Sequence, residues 1–435
     1  MDNPRYLAAE LLTKTFRSGS YSNIMLSNCL GSSDMSDRDK RLCSAIYYGV
    51  IQRKITLDHV IGGLCSRSID KLDDSVLNIL RCGIYQLLYM DSVPDSAAVN
   101  ESVRLAAGFG KKSASGMINA VLREFIRRDK CFPVPMDFIH SSRIMYSAPE
   151  WLVDSLAADY GIEPMIDLLS NSVEKAPVTI RMNPTVCSED ELICSLGGIS
   201  VQKDDKIPYC FEIGSGSAVN SEAFEKGYFH VQDRASQLCC MALNPTENDR
   251  VLDICAAPGG KTFTMAEMMN GKGELYAFDL HEKRVGLIRS GAERLHLKNI
   301  HAAAGDASVF NPDLPRFNKI LCDVPCSGIG VIRRKPEIKY KDEADFEKLP
   351  EIQYRILENA LNYLETGGEL VYSTCTLRRR ENDEVIGNLL ENHPELEPMS
   401  FLTGLGEPFG SFSASIFPKH FGSDGFFISK VRKVR

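Results

Sequence analysis

Two cysteines follow strand-like apolar runs, at positions where a thiol can do chemistry. Cys326 lies in DVPCSG, and Cys375 lies 49 residues further on in YSTCTL. Ligand sites in parallel sheets lie outside the carboxyl ends of the strands, so both thiols are expected at one site. The competing interpretation is that both are small buried hydrophobic residues, the usual role of cysteine in a cytosolic protein.

Methylation of a pyrimidine at carbon 5 is a reaction that would account for two thiols in one site. This carbon is a poor nucleophile, but a thiolate that adds at C6 produces an enamine whose C5 accepts a methyl group. Asp323 precedes Cys326 and is placed to assist the addition by protonating N3 of the ring. One thiol would attack and the other would help the release, and these residues alone leave the assignment open. The base must be unstacked, which implies single-stranded or flippable nucleic acid.

The loop DICAAPGGKT, after the first strand of the same predicted sheet, is the candidate site for the methyl donor. Its small residues let the backbone approach a ligand, and the following helix N-terminus favours negative charge. Gly260, Lys261 and Thr262 fit the P-loop pattern, but Cys255 replaces its first glycine, which argues against an NTPase. The dinucleotide pattern is also absent, so a smaller nucleoside cofactor such as S-adenosylmethionine is favoured.

Two acidic residues are predicted to end the next two strands. Asp279 follows Gly259 by 20 residues, the position of a carboxylate that binds ribose hydroxyls. Asp306 would end the following strand, where an adenine amino group can be met. Each aspartate alone is more often a helix cap or a turn residue. Their order along successive strands favours a cofactor site.

Three basic residues follow the first cysteine motif beside a glycine loop. Arg333, Arg334 and Lys335 are candidates for contacts with nucleic-acid phosphates. The competing interpretation is a solvated turn.

The elements that must position these residues change in character along the chain. Residues 1–130 are predicted to be all-helical, with an apolar stripe over Ile118–Ile126. Residues 131–149 are predicted to be a linker, and 150–228 a small α/β module. From 229 to 435, strand-like runs alternate with helical segments, which predicts a mostly parallel, twisted sheet covered on both faces. The fold class is therefore multidomain, an all-α domain followed by a Rossmann-like α/β domain.

Composition limits the possible partners. The net charge of −8 argues against a general nucleic-acid coat, but residues 1–130 carry 18 Lys+Arg against 14 Asp+Glu, which is compatible with RNA binding. The 14 cysteines show no C-x-x-C and no zinc spacing with histidine, so no metal site is predicted. No apolar run reaches membrane-spanning length and no signal peptide is recognisable, so we expect a cytoplasmic protein without membrane contact.

These motifs strongly resemble those of the RNA cytosine-C5 methyltransferases, above all the bacterial 16S rRNA subgroup of the Fmu/Sun (RsmB) type. The stretches that carry the likeness are CAAPGGKT, DVPCSGIGVIRRKPEIK, YSTCTLRRREN and DGFFISKVRK. Residues 93–125 are similar to the NusB-like helical RNA-binding domain of that subgroup. VTIRMNPT and YFHVQDRASQL are similar to its middle module, for which RNA binding is implied, and to the entry to its catalytic domain.

The resemblance implies a class I S-adenosylmethionine-dependent methyltransferase domain and a role for each site residue. Cys375 would attack the base and Cys326 would assist release, with Asp323 between cofactor and base. Asp279 would bind the ribose and Asp306 would lie near the adenine. The remaining cofactor contacts would come from Cys255, Ala256, Ala257, Pro258, Gly259, Gly260 and Lys261.

The leading functional hypothesis is methylation of C5 of one cytosine in 16S rRNA, free or in an early small-subunit assembly intermediate, by a monomer without metal. The same chemistry on tRNA or 23S rRNA is the alternative within this class. A P-loop-like NTPase and a non-catalytic RNA-binding assembly factor are the alternatives from other classes.

Overall fold

The structure, a computed structural model, describes residues 3–18, 22–214 and 218–435 and divides into two compact units. The helical unit comprises Met1–Glu174 and Ile332–Lys341, and the sheet unit comprises Lys175–Val331 and Asp342–Arg435. No helix in the described ranges is long and apolar enough to span a membrane.

The helical unit confirms the all-α prediction for the N-terminal region. Its α-helices are α1 (Pro4–Ser18), α2 (Ser22–Gly31), α3 (Asp37–Gln52), α4 (Lys54–Leu64), α5 (Asp74–Tyr89), α6 (Asp95–Gly108), α7 (Ser115–Arg127), α8 (Phe138–Met145), α9 (Glu150–Tyr160) and α10 (Ile162–Asn171). The apolar stripe of α7 faces inward as its 3.6-residue period predicts. It joins the inner faces of α1, α3 and α5 in one core that includes Leu11, Leu12, Ile46, Val50, Ile79, Ile84, Ile118, Leu122 and Phe125.

The segment 332–341, here called the strap, packs within the helical unit although it follows the first cysteine motif in sequence. Lys339 is fully buried, and its Nζ donates to the carbonyls of Gln52 at 3.0 Å and Tyr146 at 3.3 Å. The Tyr340 hydroxyl donates to the Ile51 carbonyl at 2.6 Å. The strap therefore satisfies carbonyls at the end of α3 that its helix leaves unpaired.

The helical unit also includes segments that are predicted to be a linker and part of a small α/β module. Helix α8 lies in the segment 131–149 predicted to be a linker, and α9 and α10 lie beyond residue 149. The domain boundaries after residues 130, 149 and 228 stay predictions.

The sheet unit begins with a small antiparallel sheet. Its order is β2-β3-β1-β4, formed by β1 (Val178–Met182), β2 (Val201–Lys203), β3 (Cys210–Ile213) and β4 (Phe229–Val231). Two helices accompany it, α11 (Glu189–Ser195) and α12 (Glu222–Glu225). A capping box starts α11, because Ser188 and Glu191 satisfy each other's backbone N–H groups.

The second sheet has the order β10-β12-β9-β8-β5-β6-β7, with β11 paired to β12. Its strands are β5 (Arg250–Asp253), β6 (Glu274–Asp279), β7 (Ile300–Ala304), β8 (Phe317–Asp323), β9 (Leu364–Thr374), β10 (Leu396–Pro398), β11 (Ser413–Ile416) and β12 (Phe426–Lys433). The accompanying helices are α13 (Arg234–Leu243), α14 (Gly260–Met268), α15 (Glu282–Arg294), α16 (Leu349–Tyr363), α17 (Asp383–Asn392) and α18 (Pro418–Phe421). Strands β5–β9 pair in parallel and β12 runs antiparallel to β9, which confirms the mostly parallel sheet.

The strand register brings the acidic strand ends to one edge of this sheet. Asp253 and Asp323 end β5 and β8, and Asp279 ends β6. In the ladder, Asp323 pairs with Ser373 of β9 and Asp253 pairs with Leu321 of β8. The connections reverse direction at β5, and such an edge is where open parallel sheets bind ligands.

Candidate active site

The structure brings Cys326 and Cys375 together at this edge. Their Sγ atoms lie 3.0 Å apart, within hydrogen-bonding distance for a thiol. The hydrogen bond with Cys375, then burial, then the charges of Glu381 and Asp323 raise the pKa of Cys326 well above its ordinary value. These surroundings therefore favour the protonated form of Cys326.

A glycine makes the close approach of the two cysteine loops possible. The Gly330 N–H donates to the Cys375 carbonyl at 2.9 Å, and the Gly330 carbonyl accepts from the Gly425 N–H at 2.9 Å. A Cβ at position 330 would lie 1.8 Å from the Gly425 carbonyl oxygen, so the packing excludes any side chain there.

Asp323 is held between the cofactor loop and the next strand. Its Oδ2 accepts from Lys261 Nζ at 2.8 Å, and its Oδ1 accepts from Ser373 Oγ at 2.8 Å. Burial lowers the pKa of Lys261, but the charge and hydrogen bond of Asp323, together with the nearby Cys239 and Cys240, outweigh burial, and the net result is a raised pKa. Lys261 therefore remains a cation beside Asp323.

The loop between β5 and α14 has the backbone shape of a ligand cradle. Gly259 has a φ of 111°, and a Cβ there would lie 2.4 Å from the Phe263 ring. Asp253 is buried, its Oδ2 accepts from Thr262 Oγ1 at 2.7 Å, and its Oδ1 has no hydrogen-bond donor among the described residues. Burial raises the pKa of Asp253 to about 7 despite the Thr262 hydrogen bond.

Asp279 lies at the same edge with a partner that the sequence did not reveal. Arg284 Nη1 lies 2.9 Å from Asp279 Oδ2, and Arg284 Nη2 donates to the Ala257 carbonyl at 2.7 Å. This arginine thus ties the predicted ribose carboxylate to the predicted cofactor loop. Its position in the first turns of the helix after Asp279 is the sequence signal that could have identified it.

A cavity of about 250 Å³ opens beside these residues, with Asp306 in its lining. The Asp306 carboxylate accepts from the Ser308 N–H and hydroxyl, and these hydrogen bonds lower its pKa. The other lining residues are mostly apolar and comprise Leu252, Ile254, Phe278, Ala304, Gly305, Ala307, Val309, Phe310, Asn311, Leu314, Asn359 and Tyr363. An apolar slot with one carboxylate suits a flat heterocycle that carries a hydrogen-bond donor, as adenine does.

The cradle, the strand-end carboxylates and the slot together fit a nucleoside cofactor of the S-adenosylmethionine type. In the described part of the chain, no group of three or more His, Cys, Asp or Glu side chains is arranged to hold a metal ion.

The three predicted phosphate contacts belong to the other compact unit. Arg333, Arg334 and Lys335 lie in the strap, and Arg333 Nη1 donates to Asn171 Oδ1 at 3.0 Å within the helical unit. Arg333 and Arg334 are half-buried and Lys335 is exposed. Their RNA-binding role stays a prediction.

Sequence reasoning also missed two buried residues just after Cys375. Glu381 and Asn382 lie in the RRREN stretch, whose arginines draw attention first, and both are fully buried. Each makes hydrogen bonds to residues of a cysteine loop. An acid next to an amide after a strand-end cysteine is the only local signal.

Comparison with known proteins covers the full length of the chain. Residues 240–432 match the family model described as 16S rRNA methyltransferase RsmB/F, and residues 2–127 match the NusB family. Residues 148–220 match a ferredoxin-like domain of RsmF/B-like methyltransferases.

Two relatives align with nearly the whole of this chain. A probable ribosomal RNA small subunit methyltransferase B from Bacillus subtilis (strain 168) is 37% identical over 99% of this chain and 98% of its own length. One from Synechocystis sp. is 32% identical over 100% of both chains. The crystal structure of PH0851 superposes with a TM-score of 0.82 at 23% identity, covering 99% of both chains, and so shares the fold.

Proposed function

The chain belongs to the RsmB/F family of ribosomal RNA small subunit methyltransferases, and we propose on that basis that it methylates C5 of one cytosine in 16S rRNA through a covalent cysteine adduct. Its cofactor is S-adenosylmethionine, which supplies an electrophilic methyl group. The cradle 255–261, with Asp279 and Asp306, would hold this cofactor.

The observation that carries the proposal is the pair of thiols 3.0 Å apart at the strand ends. Methylation of a nitrogen or oxygen needs no enzyme nucleophile, because a lone pair attacks the methyl group directly. A pyrimidine C5 needs a thiolate at C6 first. The thiol pair therefore supports a carbon-methylating enzyme that acts on a pyrimidine.

We propose Cys375 as the nucleophile because it lies in the Thr-Cys motif of the family. Its Sγ would form the bond to C6, and the raised pKa of Cys326 favours the thiol form expected of the release partner. Asp323 would take a proton from the Lys261 ammonium, which contacts its carboxylate at 2.8 Å, and pass it to N3 as electrons move into the ring.

Release reverses these movements once C5 carries the methyl group. A base takes the proton from C5, its bonding electrons form the C5–C6 double bond, and the C6–Sγ bond breaks. Cys375 leaves as a thiolate, to which the Cys326 thiol donates a hydrogen bond. Without that donor, the adduct would persist.

The choice of RNA rests on the relatives. Two relatives that span the chain are named as small subunit methyltransferases, which favours 16S rRNA over tRNA or 23S rRNA. Substrate in the form of free rRNA or an early assembly intermediate, and a monomeric enzyme, complete the proposal. A P-loop NTPase is disfavoured by Cys255, and a non-catalytic assembly factor by the intact thiol pair.

The test uses the variants Cys326→Ala and Cys375→Ala with S-adenosylmethionine and unmethylated 16S rRNA. We expect a denaturant-stable protein–RNA adduct with Cys326→Ala, and neither adduct nor methyl transfer with Cys375→Ala. An adduct with Cys375→Ala alone would reverse the two roles. Methyl transfer by Cys375→Ala at the rate of the unaltered enzyme would exclude covalent catalysis by this thiol.

A further inference from the structure

Glu381 is a buried carboxylate that the reaction as proposed does not use. It lies in the short 3-10 helix Arg379–Glu381 and is fully buried. Its Oε1 has no hydrogen-bond donor among the described residues, and Arg378 Nη1 lies 3.7 Å away. An incompletely paired buried charge is costly and is retained where a specific contact requires it.

The other carboxylate oxygen holds the loop of Cys326 from both sides. Glu381 Oε2 accepts from the backbone N–H of Ser327 at 2.8 Å and from Gln353 Nε2 at 3.0 Å. Gln353 Nε2 also donates to the Pro325 carbonyl at 3.0 Å. The residues before and after Cys326 are thus both fixed, one through Gln353 and one directly.

The next residue, Asn382, holds the loop of Cys375 in the same way. Asn382 Nδ2 donates to the Thr376 carbonyl at 3.0 Å, and Asn382 Oδ1 accepts from Thr374 Oγ1 at 2.6 Å. The two loops also meet directly, because the hydroxyls of Ser327 and Thr376 lie 2.8 Å apart. Consecutive residues therefore bind the chain on either side of each thiol.

We propose that Glu381 is a positioning residue, which aligns Cys326 with Cys375 by holding the backbone around Cys326 for the release step. This inference rests on the proposed covalent mechanism. The negative charge of Glu381 also acts on the Cys326 thiol, because Glu381 is one of the groups that raise the pKa of Cys326. The other charged or titratable groups around the thiol pair and Glu381 are Asp323, Lys261, Arg378 and Tyr372.

The test variant is Glu381→Gln, with Glu384→Gln as the matched control. Glu384 is exposed and lies three residues further along, in α17. We expect Glu381→Gln to lower kcat by about 10- to 100-fold with little change in the KM for RNA, because an amide has one acceptor oxygen and cannot both hold the loop of Cys326 and present an oxygen to Arg378. Because the variant removes a negative charge beside Cys326, the pH–rate profile should move to lower pH. Glu384→Gln should match the unaltered enzyme.

The Cys326→Ala variant serves as a second background, in which a loss of Cys326 positioning can be distinguished from general structural damage. In Cys326→Ala the adduct forms through Cys375 and cannot be released with the help of residue 326. Adding Glu381→Gln there should change the rate of adduct formation by no more than about twofold, since the residue that it positions is already absent.

Two outcomes would overturn the inference. One is that Glu381→Gln lowers kcat of the unaltered enzyme and the rate of adduct formation by Cys326→Ala by the same factor. The other is an unchanged kcat and pH–rate profile for Glu381→Gln. If calorimetry shows that Glu381→Gln no longer binds S-adenosylmethionine, Gln353→Met is tested in its place, since it frees the Pro325 carbonyl. Gln353→Met must then lower kcat in the unaltered enzyme but leave the rate of adduct formation in Cys326→Ala unchanged, or the inference fails. Failure of the covalent mechanism itself is distinguishable, because then Cys326→Ala alone forms no adduct.

Discussion

The run 323–341 is continuous in sequence, but its two parts lie in different compact units. The first part, 323–331, carries Asp323 and Cys326 at the edge of the large sheet. The second part is the strap, whose Lys339 and Tyr340 donate to backbone carbonyls of the helical unit. One motif therefore supplies reacting groups at its start and an anchor at its end.

Polar residues of one motif therefore serve different purposes in the two units. Asp323 is partly exposed and bonded to another ionisable group, as a residue that handles protons must be. Lys339 is fully buried against carbonyls, as a structural donor is. Residue type alone did not separate these roles, but burial and partners do.

The largest expected effect comes from Asp323→Asn in the first part of the run. The variant removes the counter-charge of Lys261 and the group proposed to deliver the N3 proton. We expect methyl transfer to fall about 10²- to 10⁴-fold, as for loss of an acid–base group. Single-turnover transfer to 16S rRNA measures this, with the exposed Asp345→Asn as the control. A loss of less than threefold would remove Asp323 from the proposed chemistry.

A smaller effect is expected from Arg334→Ala combined with Lys335→Ala at the start of the strap. If both residues contact phosphates as predicted, RNA affinity falls and the slope of log affinity against log salt decreases by about one per residue. Titration of rRNA at several salt concentrations measures the slope, with Lys283→Ala plus Lys298→Ala as the charge-matched control. Equal slopes for the two double variants would mean that Arg334 and Lys335 make no phosphate contacts, and that the strap only holds the chain in the helical unit.

The smallest effect is a pH dependence of stability from Lys339. Burial, with a contribution from the charge of Arg53, lowers the pKa of Lys339 from 10.5 to about 7. Between these values the unfolded chain binds more protons than the folded chain, so the free energy of unfolding rises with pH across this window. Below about pH 7, Lys339 is charged in both states, and the folded chain bears the full free-energy cost of burying that charge.

Lys339→Met removes this dependence, and Lys335→Met, at an exposed position in the same strap, keeps it. Denaturant unfolding between pH 7 and pH 10.5 should show the wild-type chain gaining stability relative to Lys339→Met as pH rises. At high pH, the variant should be about 1–2 kcal/mol less stable, because two buried carbonyls lose a donor. If the free energies of unfolding of wild type and Lys339→Met change equally with pH, the lowered pKa of Lys339 would be contradicted.

Local patterns were sufficient to predict much of this molecule. The helical period of α7 and the alternation of strands and helices after residue 229 predicted the all-α region and the parallel sheet. The strand-end positions of Asp279, Asp323 and the two cysteines placed them at one edge, because parallel strands share their carboxyl edge.

The features that were missed depend on contacts between residues far apart in sequence. Glu381 is buried because Ser327 and Gln353 lie against it, and Lys339 is buried because Gln52 and Tyr146 offer carbonyls. Ionisable side chains usually lie at the surface, so the burial of these two residues is the exception to the general pattern. No local period or motif records such a partner, so these roles emerge only from the folded chain.

Mass spectrometry of the trapped adduct would identify the residue that forms the proposed covalent bond between Cys375 and a cytosine. The Cys326→Ala adduct with 16S rRNA would be digested with protease and ribonuclease, and the cross-linked fragment sequenced. We expect one modified peptide, in which Cys375 carries a C5-methylated cytidine. A nucleotide attached to any other residue, or a base other than cytosine, would contradict it.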